Sequence, residues 1–274
     1  MRMDMSKPLV TILIPNYKTE ELTRLCLRLL RKHTDPDMVK VLVIDNDSKD
    51  GSLTYLRSLK RITLIERPAV PGEPPVSAHS NALDLALAQI DTPYVLSIHT
   101  DTLVKRPDWL PFLLAEIEKR DTIAGVGSWK LENKPWWRRV LKKIERFVQQ
   151  GYYKLTGNEK HGLEGIGKNY YYLRSHCALY RMDALRKLNL HFSDGDLVAG
   201  KFMHKALVEA GYEMVFLPSD VLIPYMDHIN HATTVLNPSL STREKSVNKG
   251  LKRIRRSLDK LNAKGVLLDE TLDW

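Results

Sequence analysis

One short stretch of the chain, Tyr94 to Val104 (YVLSIHTDTLV), joins a strand-like segment to residues that could bind a metal. Its apolar first half is rich in β-branched and aromatic residues and predicts a buried strand, which ends at His99, Thr100 and Asp101. A carboxylate at the carboxyl end of a buried parallel strand lies where open α/β sheets bind their ligands. Carboxylate oxygens suit Mg²⁺ or Mn²⁺, and such a metal can bind a diphosphate. The alternative is that Asp101 only caps the following helix or turn.

The segments before this stretch alternate between strand and helix patterns. Helices of about ten to fifteen residues between strands indicate βαβ units and a mostly parallel sheet. Polar loops therefore follow several strands at one edge of that sheet. The predicted strands are Val10–Ile14, Val39–Ile44, Ile62–Ile65 and the segment from Tyr94, and the predicted helices run through Leu22–Leu30 and Ala78–Gln89.

Four short motifs occur in order on these elements, and they read IPNYK, VIDNDSKDGS, SNALDLAL and HTDT. Together they resemble the nucleotide-sugar domain of the family 2 glycosyltransferases, which have the GT-A fold. Each motif is short, but their order and their placement on the predicted elements make the combination specific. The resemblance covers roughly residues 8–225 and is strongest in the first 110. It implies an α/β fold with a Rossmann-like, mostly parallel sheet flanked by helices.

The resemblance also implies roles for individual residues. By position, Asp45 and Asn46 would contact the nucleotide base, and Pro15 and Tyr17 would shape its pocket. Asp101 would hold Mn²⁺ or Mg²⁺ on the diphosphate of the sugar nucleotide.

Several positions depart from the family pattern. His99 and Thr100 stand where acids are usual, but an imidazole can bind Mn²⁺ and a threonine hydroxyl can hydrogen-bond a ribose or sugar. Asn46 offers an uncharged acceptor, which selects a base less strongly than an acid does. Ser80 stands where an arginine commonly faces the phosphates, directly before Asn81. We count Asn81, His99 and Thr100 among the residues that bind the nucleotide sugar, and the identity of the nucleotide stays open.

We expect the catalytic base in the acceptor half of the chain. Inverting members of the family place an acid before the helix that ends, here, at Ala210 to Tyr212, and the ungapped register puts Ala199 and Gly200 there. The nearby acids are Asp194 and Asp196. Direct displacement at an anomeric carbon requires a carboxylate beside the acceptor hydroxyl. We predict that Asp194 is the base, with Asp196 close behind, while helix capping is the alternative for each and suits Asp196 particularly well.

Two histidines, His228 and His231, follow the last predicted core segment. In many relatives a histidine after the last core strand completes the metal or diphosphate contacts. Both lie further along the chain than the usual spacing in the family places this histidine. The pattern therefore leaves open whether either of them binds the metal. An ordinary surface position is the alternative for one of the two.

Composition agrees with one globular catalytic domain that carries appendages. Of the 274 residues 43% are hydrophobic and 27% are charged, as in ordinary globular proteins. We divide the chain into a catalytic domain, 1–232, and a basic helical extension, 233–274. Within the domain we expect a nucleotide-sugar half (8–110), a basic amphipathic insertion (130–160) and an acceptor half (160–232).

The cysteine content and the absence of long apolar runs indicate the cellular compartment of the protein. Cys26 and Cys177 offer neither a zinc spacing nor a disulfide framework, which favours a reducing environment. No run approaches the ~18 apolar residues of a spanning helix, and the first residues lack the core of a signal peptide. We therefore expect a cytoplasmic protein.

The formal net charge of +9 is unevenly distributed. Seven Lys or Arg and one acid lie between Lys134 and Lys154, with apolar residues at helical spacing. This pattern predicts a helix on an anionic membrane surface, and the alternative is a helix packed on the domain with a solvated basic face. A second basic stretch, Arg243 to Lys264, could dock on the core, pair with a partner or lie on lipid.

These observations predict a metal-dependent inverting glycosyltransferase of cell-envelope polysaccharide synthesis. It would move a sugar from a nucleoside-diphosphate sugar to a glycan or lipid-linked acceptor, peripherally at the inner face of a membrane. One alternative is a nucleotidyltransferase of similar sheet architecture, although the sequence after the first strand lacks the usual Gly-rich phosphate loop. The other is a non-catalytic basic module on membrane or nucleic acid. It leaves the ordered motifs unexplained, and no nucleic-acid motif accompanies the basic residues, so we expect no nucleic acid partner.

Overall fold

The computed structural model describes residues 8–131, 165, 169–196, 198–229, 251, 254–256, 258–259 and 261–273. For Asp196 it describes the backbone and not the side chain. The predicted membrane helix between Lys134 and Lys154 lies outside these residues, as does His231.

Strands and helices alternate through the first half of the chain, as predicted. The strands are β1 (Val10–Asn16), β2 (Val39–Asp45), β3 (Thr63–Glu66), β4 (Tyr94–Ile98), β5 (Thr102–Val104), β6 (Ile123–Gly127), β7 (Cys177–Arg181), β8 (Glu213–Phe216) and β9 (Met226–His228). The helices are α1 (Glu20–His33), α2 (Gly51–Ser58), α3 (Pro75–Leu87), α4 (Trp109–Ile117), α5 (Met182–Lys187), α6 (Lys201–Glu209), α7 (Ser219–Leu222) and α8 (Ala263–Leu268).

Seven of the strands form one mixed sheet in the order β3-β2-β1-β4-β7-β6-β8. The first four in that order pair in parallel, β7 runs antiparallel to both of its neighbours, and β8 pairs in parallel with β6. The mostly parallel sheet predicted from the sequence is therefore confirmed. The carboxyl ends of β1, β2 and β4 lie side by side at one edge.

The sheet is buried on both faces because its central strands are apolar at almost every position. In β1, Ile12 and Ile14 pack into a core on one side with α1 and α4, while Leu13 packs into a core on the other side with α3. Successive side chains of a strand point to opposite faces, so a continuous apolar strand serves two layers.

Two boundaries differ from the sequence-based prediction. Helix α3 begins at Pro75, three residues before the predicted start, because proline is well accommodated in the first turn of a helix. The stretch after the HTDT motif does not lead straight into a helix, since Thr102–Val104 forms β5. This strand pairs antiparallel with β9 in a separate two-stranded sheet.

The C-terminal segment packs against α1. The Arg28 side chain on α1 is only 1% exposed and donates hydrogen bonds to the Asp273 carboxylate and to the carbonyl oxygens of Val266 and Leu267. The Tyr55 hydroxyl donates to the same carboxylate at 2.6 Å. Because a buried guanidinium must be both paired and hydrogen-bonded, these contacts join α1, α2 and the end of the chain.

The described part of the second basic stretch docks on the core. Ile254 is buried, and Leu251, Leu258 and Leu261 pack against the same cluster as α1. The sequence left three arrangements open for this stretch. The contacts of its described apolar residues support the first, docking on the core. Among the described residues no helix is both long and apolar enough to span a bilayer.

We predict that Asp273→Asn destabilises the protein. It leaves the Arg28 guanidinium buried without its counter-ion, and breaking a buried pair in this way costs roughly 3–5 kcal/mol. Because Asp273 is partly exposed, we expect the free energy of unfolding at pH 7 to fall by about 3 kcal/mol in urea titrations. Asp269→Asn is the matched control, since this exposed carboxylate accepts hydrogen bonds from Thr271 alone among the described residues. It should change stability by less than about 0.5 kcal/mol. Equal losses in the two variants would contradict the prediction.

The same pair predicts a pH dependence. Desolvation raises the pKa of Asp273, but hydrogen bonds from Arg28 and Tyr55 outweigh it and the pKa is lowered. A carboxyl whose folded pKa lies below its unfolded value of about 3.9 stabilises the fold at higher pH. That contribution is lost as pH falls through the folded pKa. The difference in stability between the native protein and Asp273→Asn should therefore shrink below about pH 4.

Candidate functional site

A cavity of about 410 Å³ opens at the carboxyl ends of β1, β2 and β4. Its volume is in the range of small-molecule sites, and it lies where the polar strand-end motifs meet. Six of the residues predicted from the sequence line it: Pro15, Tyr17, Asn46, His99, Thr100 and Asp101.

A second cavity, of about 310 Å³, lies between α1, β2, α2 and the C-terminal segment. Its walls are mainly aliphatic side chains of the core, and none of the residues predicted from the sequence lines it. The first cavity is therefore the candidate functional site.

Three potential metal ligands meet beside the first cavity: His99 and Asp101, which line it, and His228 behind them. The Asp101 Oδ1 atom lies 3.2 Å from His228 Nε2 and 3.8 Å from His99 Nδ1. One ligand atom from each of the three residues lies within 4.8 Å of the others. Two ligands that are each about 2.0–2.6 Å from an ion are at most about 5 Å apart, so the three fit a single ion.

His228 reaches this cluster through the small sheet. In the β5–β9 ladder, Thr102 is the partner of His228, and Ile229 donates a backbone hydrogen bond to the Asp101 carbonyl at 2.9 Å. The residue after Asp101 is thus fixed opposite His228. Of the two histidines predicted to bind the metal, His228 meets Asp101, and His231 lies outside the described residues.

Three imidazoles near Asp101, of which His79 and His99 are half-buried and His176 is buried, are kept in the neutral form. Burial lowers the pKa of His99 to about 3 and that of His79 to about 4, and it lowers the pKa of His176 well below the usual value. A neutral imidazole has a free nitrogen lone pair, which protonation would remove. Imidazole nitrogens and a carboxylate oxygen are also the donor types that a divalent ion such as Mn²⁺ accepts.

Residues 174–176 contribute a part of the site that the sequence-based prediction missed. The Ser175 Oγ atom contacts His79 Nε2 at 3.0 Å and His99 Nε2 at 2.9 Å, and the His176 ring stacks on His228 with a centroid distance of 4.4 Å. The segment is fixed to the strand ends by hydrogen bonds from Ser97 and Thr102 to its carbonyl groups. The one hint in the sequence is that His79 directly precedes the SNALDLAL motif.

A buried polar cluster holds the ends of β1 and β2 together. The Asn16 amide nitrogen donates to Asp45 Oδ1 at 2.6 Å and to the hydroxyls of Ser48 and Ser52, while its oxygen accepts from Thr23 Oγ1 at 2.5 Å. Asp45 also accepts from the Ser48 hydroxyl and backbone. This carboxylate is only 1% exposed and does not line the cavity. Direct contact between Asp45 and a base stays a prediction, and the geometry favours an indirect, supporting role.

Asn46 belongs to a second polar network, at the wall of the cavity. Its side-chain oxygen accepts from Arg67 at 3.4 Å, and Arg67 also pairs with Glu73 at 2.5 Å. The Asn81 amide donates to the same Glu73 carboxylate at 2.8 Å. The hydrogen bond from Arg67 is the main cause of a lowered Glu73 pKa. Arg67 and Glu73 were missed because neither belongs to a strand-end motif.

Thr100 is fixed by the helix that follows β1. Its hydroxyl contacts the Thr19 hydroxyl at 3.1 Å, just before α1, and Thr19 in turn contacts the Thr23 hydroxyl at 3.2 Å. Since Thr23 donates to Asn16, the HTDT loop and the Asn16 cluster are connected through side-chain hydrogen bonds.

The family model described as glycosyl transferase family 2 matches residues 11–188, more than half of the chain. The chain belongs to glycosyl transferase family 2. None of the curated protein sequences compared with it matches significantly.

Solved glycosyltransferase structures share the architecture of this family member. The mannosyltransferase PcManGT of Pyrobaculum calidifontis, solved with GDP-Man and Mn²⁺, is 17% identical with a TM-score of 0.55, covering 97% of this chain and 72% of its own. Residues 1–349 of S. aureus TarS are 14% identical with a TM-score of 0.53, covering 96% and 73%. These likenesses confirm the predicted GT-A-type fold.

The predicted catalytic base is not brought to the cavity of this glycosyltransferase. Asp194 does not line it, and its carboxylate accepts a hydrogen bond from the His191 backbone N–H at 2.7 Å, within its own turn. The side chain of Asp196 lies outside the described residues. At the positions where the family register expects the acid, Ala199 is buried and Gly200 has φ of +74°. The placement therefore favours a local capping role for Asp194.

Proposed function

We propose that this family 2 member is a metal-dependent inverting glycosyltransferase that uses a nucleoside-diphosphate sugar. The acceptor would be a hydroxyl of a glycan or lipid-linked molecule, in polysaccharide synthesis of the cell envelope. The observation that carries the proposal is the cluster of His99, Asp101 and His228 beside a cavity of about 410 Å³ at the strand ends. The Mn²⁺ and GDP-Man in the PcManGT complex support it by analogy.

The metal would be Mn²⁺ in preference to Mg²⁺. Mg²⁺ favours oxygen ligands and keeps several waters, whereas two of the three ligands here are imidazoles. When bound, the ion would offset the charge that develops on the leaving diphosphate. His99, Asp101 and His228 would hold it, with His176 stacked against the third of these.

The nucleotide would occupy the rest of the cavity. Pro15 and Tyr17 form one wall, and Asn46, supported by Arg67 and Glu73, offers its amide nitrogen to a base because its oxygen already accepts from Arg67. Asp45 would act indirectly, by holding the loop that carries Asn46. Residues 8–110 would thus form the donor half of the catalytic domain, with the acceptor half within 160–232. The described apolar residues of the extension 233–274 pack on the core.

The base of the transfer would be the Asp196 carboxylate rather than that of Asp194. The sequence alone favours Asp194 over Asp196 only narrowly. In the structure, the Asp194 carboxylate already accepts a hydrogen bond within its own turn. A carboxylate that takes the proton from the hydroxyl of the acceptor substrate enables that oxygen to attack the anomeric carbon directly.

For this proposal, Asp196→Asn should lower kcat by about 100-fold while the affinity for the donor is retained, because only proton transfer is impaired. Asp194→Asn is the matched control and should keep kcat within about threefold, with a lower melting temperature from the weakened turn. Initial-rate kinetics and donor titrations measure both. If both variants turn over normally, the base lies elsewhere in the chain.

The basic segment from Lys134 to Lys154 would hold the enzyme reversibly at the inner face of a membrane. Each Lys or Arg near an anionic leaflet contributes about 1 kcal/mol. Reversing four of them to Glu should release the protein from anionic liposomes in flotation assays: Arg138, Arg139, Lys142 and Lys143. Reversal of four exposed cations elsewhere is the control and should have little effect: Lys60, Arg61, Lys119 and Arg120. If the unaltered protein does not bind such liposomes at low salt, the segment is a packed structural element.

The metal site gives the sharpest prediction. Asp101→Asn should abolish sugar transfer and the Mn²⁺-dependent part of GDP or UDP binding, because the carboxylate is the only anionic ligand in the cluster. His99→Ala should lower both properties less. Thermal shifts with each nucleotide, with and without Mn²⁺, measure the binding. Asp108→Asn removes an exposed carboxylate paired with Arg106 and should leave both properties unchanged. Full activity of Asp101→Asn at saturating donor would refute the metal site.

A further inference from the structure

A single hydroxyl group lies between two imidazoles next to the metal cluster. The Ser175 Oγ atom is 3.0 Å from His79 Nε2 and 2.9 Å from His99 Nε2. A serine hydroxyl has one hydrogen to donate and two lone pairs to accept. It therefore cannot donate to both rings, and at least one of the two imidazoles must donate to it.

The orientation of His99 decides which ring donates. Its Nδ1 atom faces Asp101 and its Nε2 atom faces Ser175. Nδ1 must be unprotonated to bind an ion, so the hydrogen of the neutral ring is on Nε2 and is donated to Ser175 Oγ. Histidine ligands generally donate their second nitrogen in this way, and the partner fixes the orientation of the ring.

The Ser175 hydrogen then points to His79. With a lone pair occupied by His99, the hydroxyl donates to His79 Nε2, and the neutral His79 ring carries its hydrogen on Nδ1. His79 lines the cavity, and among the described residues no hydrogen bond uses its Nδ1 atom. The geometry thus leaves a hydrogen-bond donor of His79 available to a ligand in the cavity.

The neighbouring serine does not offer such a donor. The Ser80 hydroxyl donates to backbone carbonyls of its own helix, at Val76 and Ser77, and the residue is 2% exposed and does not line the cavity. Among the side chains of α3, His79 is therefore the one placed to meet an anionic group beside the metal cluster.

We propose that Ser175 is a positioning residue that fixes the hydrogens of both rings, and that the His79 Nδ1–H group donates to the diphosphate of the nucleotide sugar. This inference rests on the proposed function. The proposal gives His79 the role of contacting the phosphates. The position of the hydrogen on His79 follows from that on His99, so the metal ion and the His79 donor are coupled through the Ser175 hydroxyl.

Isosteric variants of His79 separate a donor role from a packing role. In His79→Asn the amide nitrogen can take the place of the donor Nδ1, whereas in His79→Gln the amide oxygen can take the place of Nε2 and accept from Ser175 Oγ. At saturating Mn²⁺, His79→Gln should lower GDP or UDP affinity by about tenfold, since a hydrogen bond to a charged group is lost, and His79→Asn should stay within about threefold. Both should bind Mn²⁺ alone almost as the native protein does. Equal nucleotide affinities of the two variants would overturn the role of His79.

Variants of Ser175 test the coupling. Ser175→Ala should lower the affinity for Mn²⁺ alone by about tenfold or more, the usual effect of removing a group that orients a histidine ligand. It should also weaken nucleotide binding at saturating Mn²⁺, and Ser175→Thr should restore both. Ser80→Ala is the matched control and should change neither. Calorimetric titration with Mn²⁺, and then with nucleotide, measures these affinities without any turnover.

The hydrogens themselves can be located by long-range ¹H–¹⁵N spectra of histidine-labelled protein loaded with diamagnetic Zn²⁺. We expect His99 to be protonated on Nε2 and His79 on Nδ1, and a His79 protonated on Nε2 would overturn the inference. If the native protein binds Mn²⁺ and Ser175→Ala binds it equally well, this inference fails and the proposed function stands. If the native protein binds no metal, both fail.

Discussion

The backbone hydrogen bonds between β5 and β9 hold His228 opposite Thr102, and they thereby set the distance between its imidazole and the Asp101 carboxylate. Each strand has only three residues, so the ladder is short, but both strands are supported by the buried core beneath them. The other ligand, His99, follows β4 in the main sheet. The candidate metal site is therefore assembled across two sheets, and its geometry depends on how the small sheet is docked.

The side of the cavity that carries Asn46 depends on a different constraint, the buried amide of Asn16. Its hydrogen bonds reach β2, α2 and α1, and Thr100 is connected to the same group through Thr19. A buried polar network of this kind is stable only when its members are satisfied, so it specifies one arrangement of the strand ends. Asp45 serves within that network, and Asn46 is left at the cavity wall with Arg67 as its support.

The parts that were predictable from sequence are those set by local pattern. Apolar strands ending in polar motifs identified the sheet, its edge and six of the cavity residues, because the carboxyl ends of parallel strands must converge. Contacts that depend on distant pairing were not predictable: the partner of Thr102 in β9, the placement of Ser175 between two histidines, and the burial of Asp45. The Asp194 turn illustrates the same limit, since a carboxylate near a helix start suits capping and catalysis equally well in sequence.

In the proposed site, two imidazoles and one carboxylate hold the same ion. Electron spin-echo spectroscopy of Mn²⁺ bound to ¹⁵N-histidine-labelled protein counts the nitrogens coordinated to the metal. The structure predicts two coupled imidazole nitrogens in the native protein, one in His228→Gln and one in His99→Ala. Detection of no directly bound nitrogen, or a nitrogen count unchanged by His228→Gln, would contradict the site.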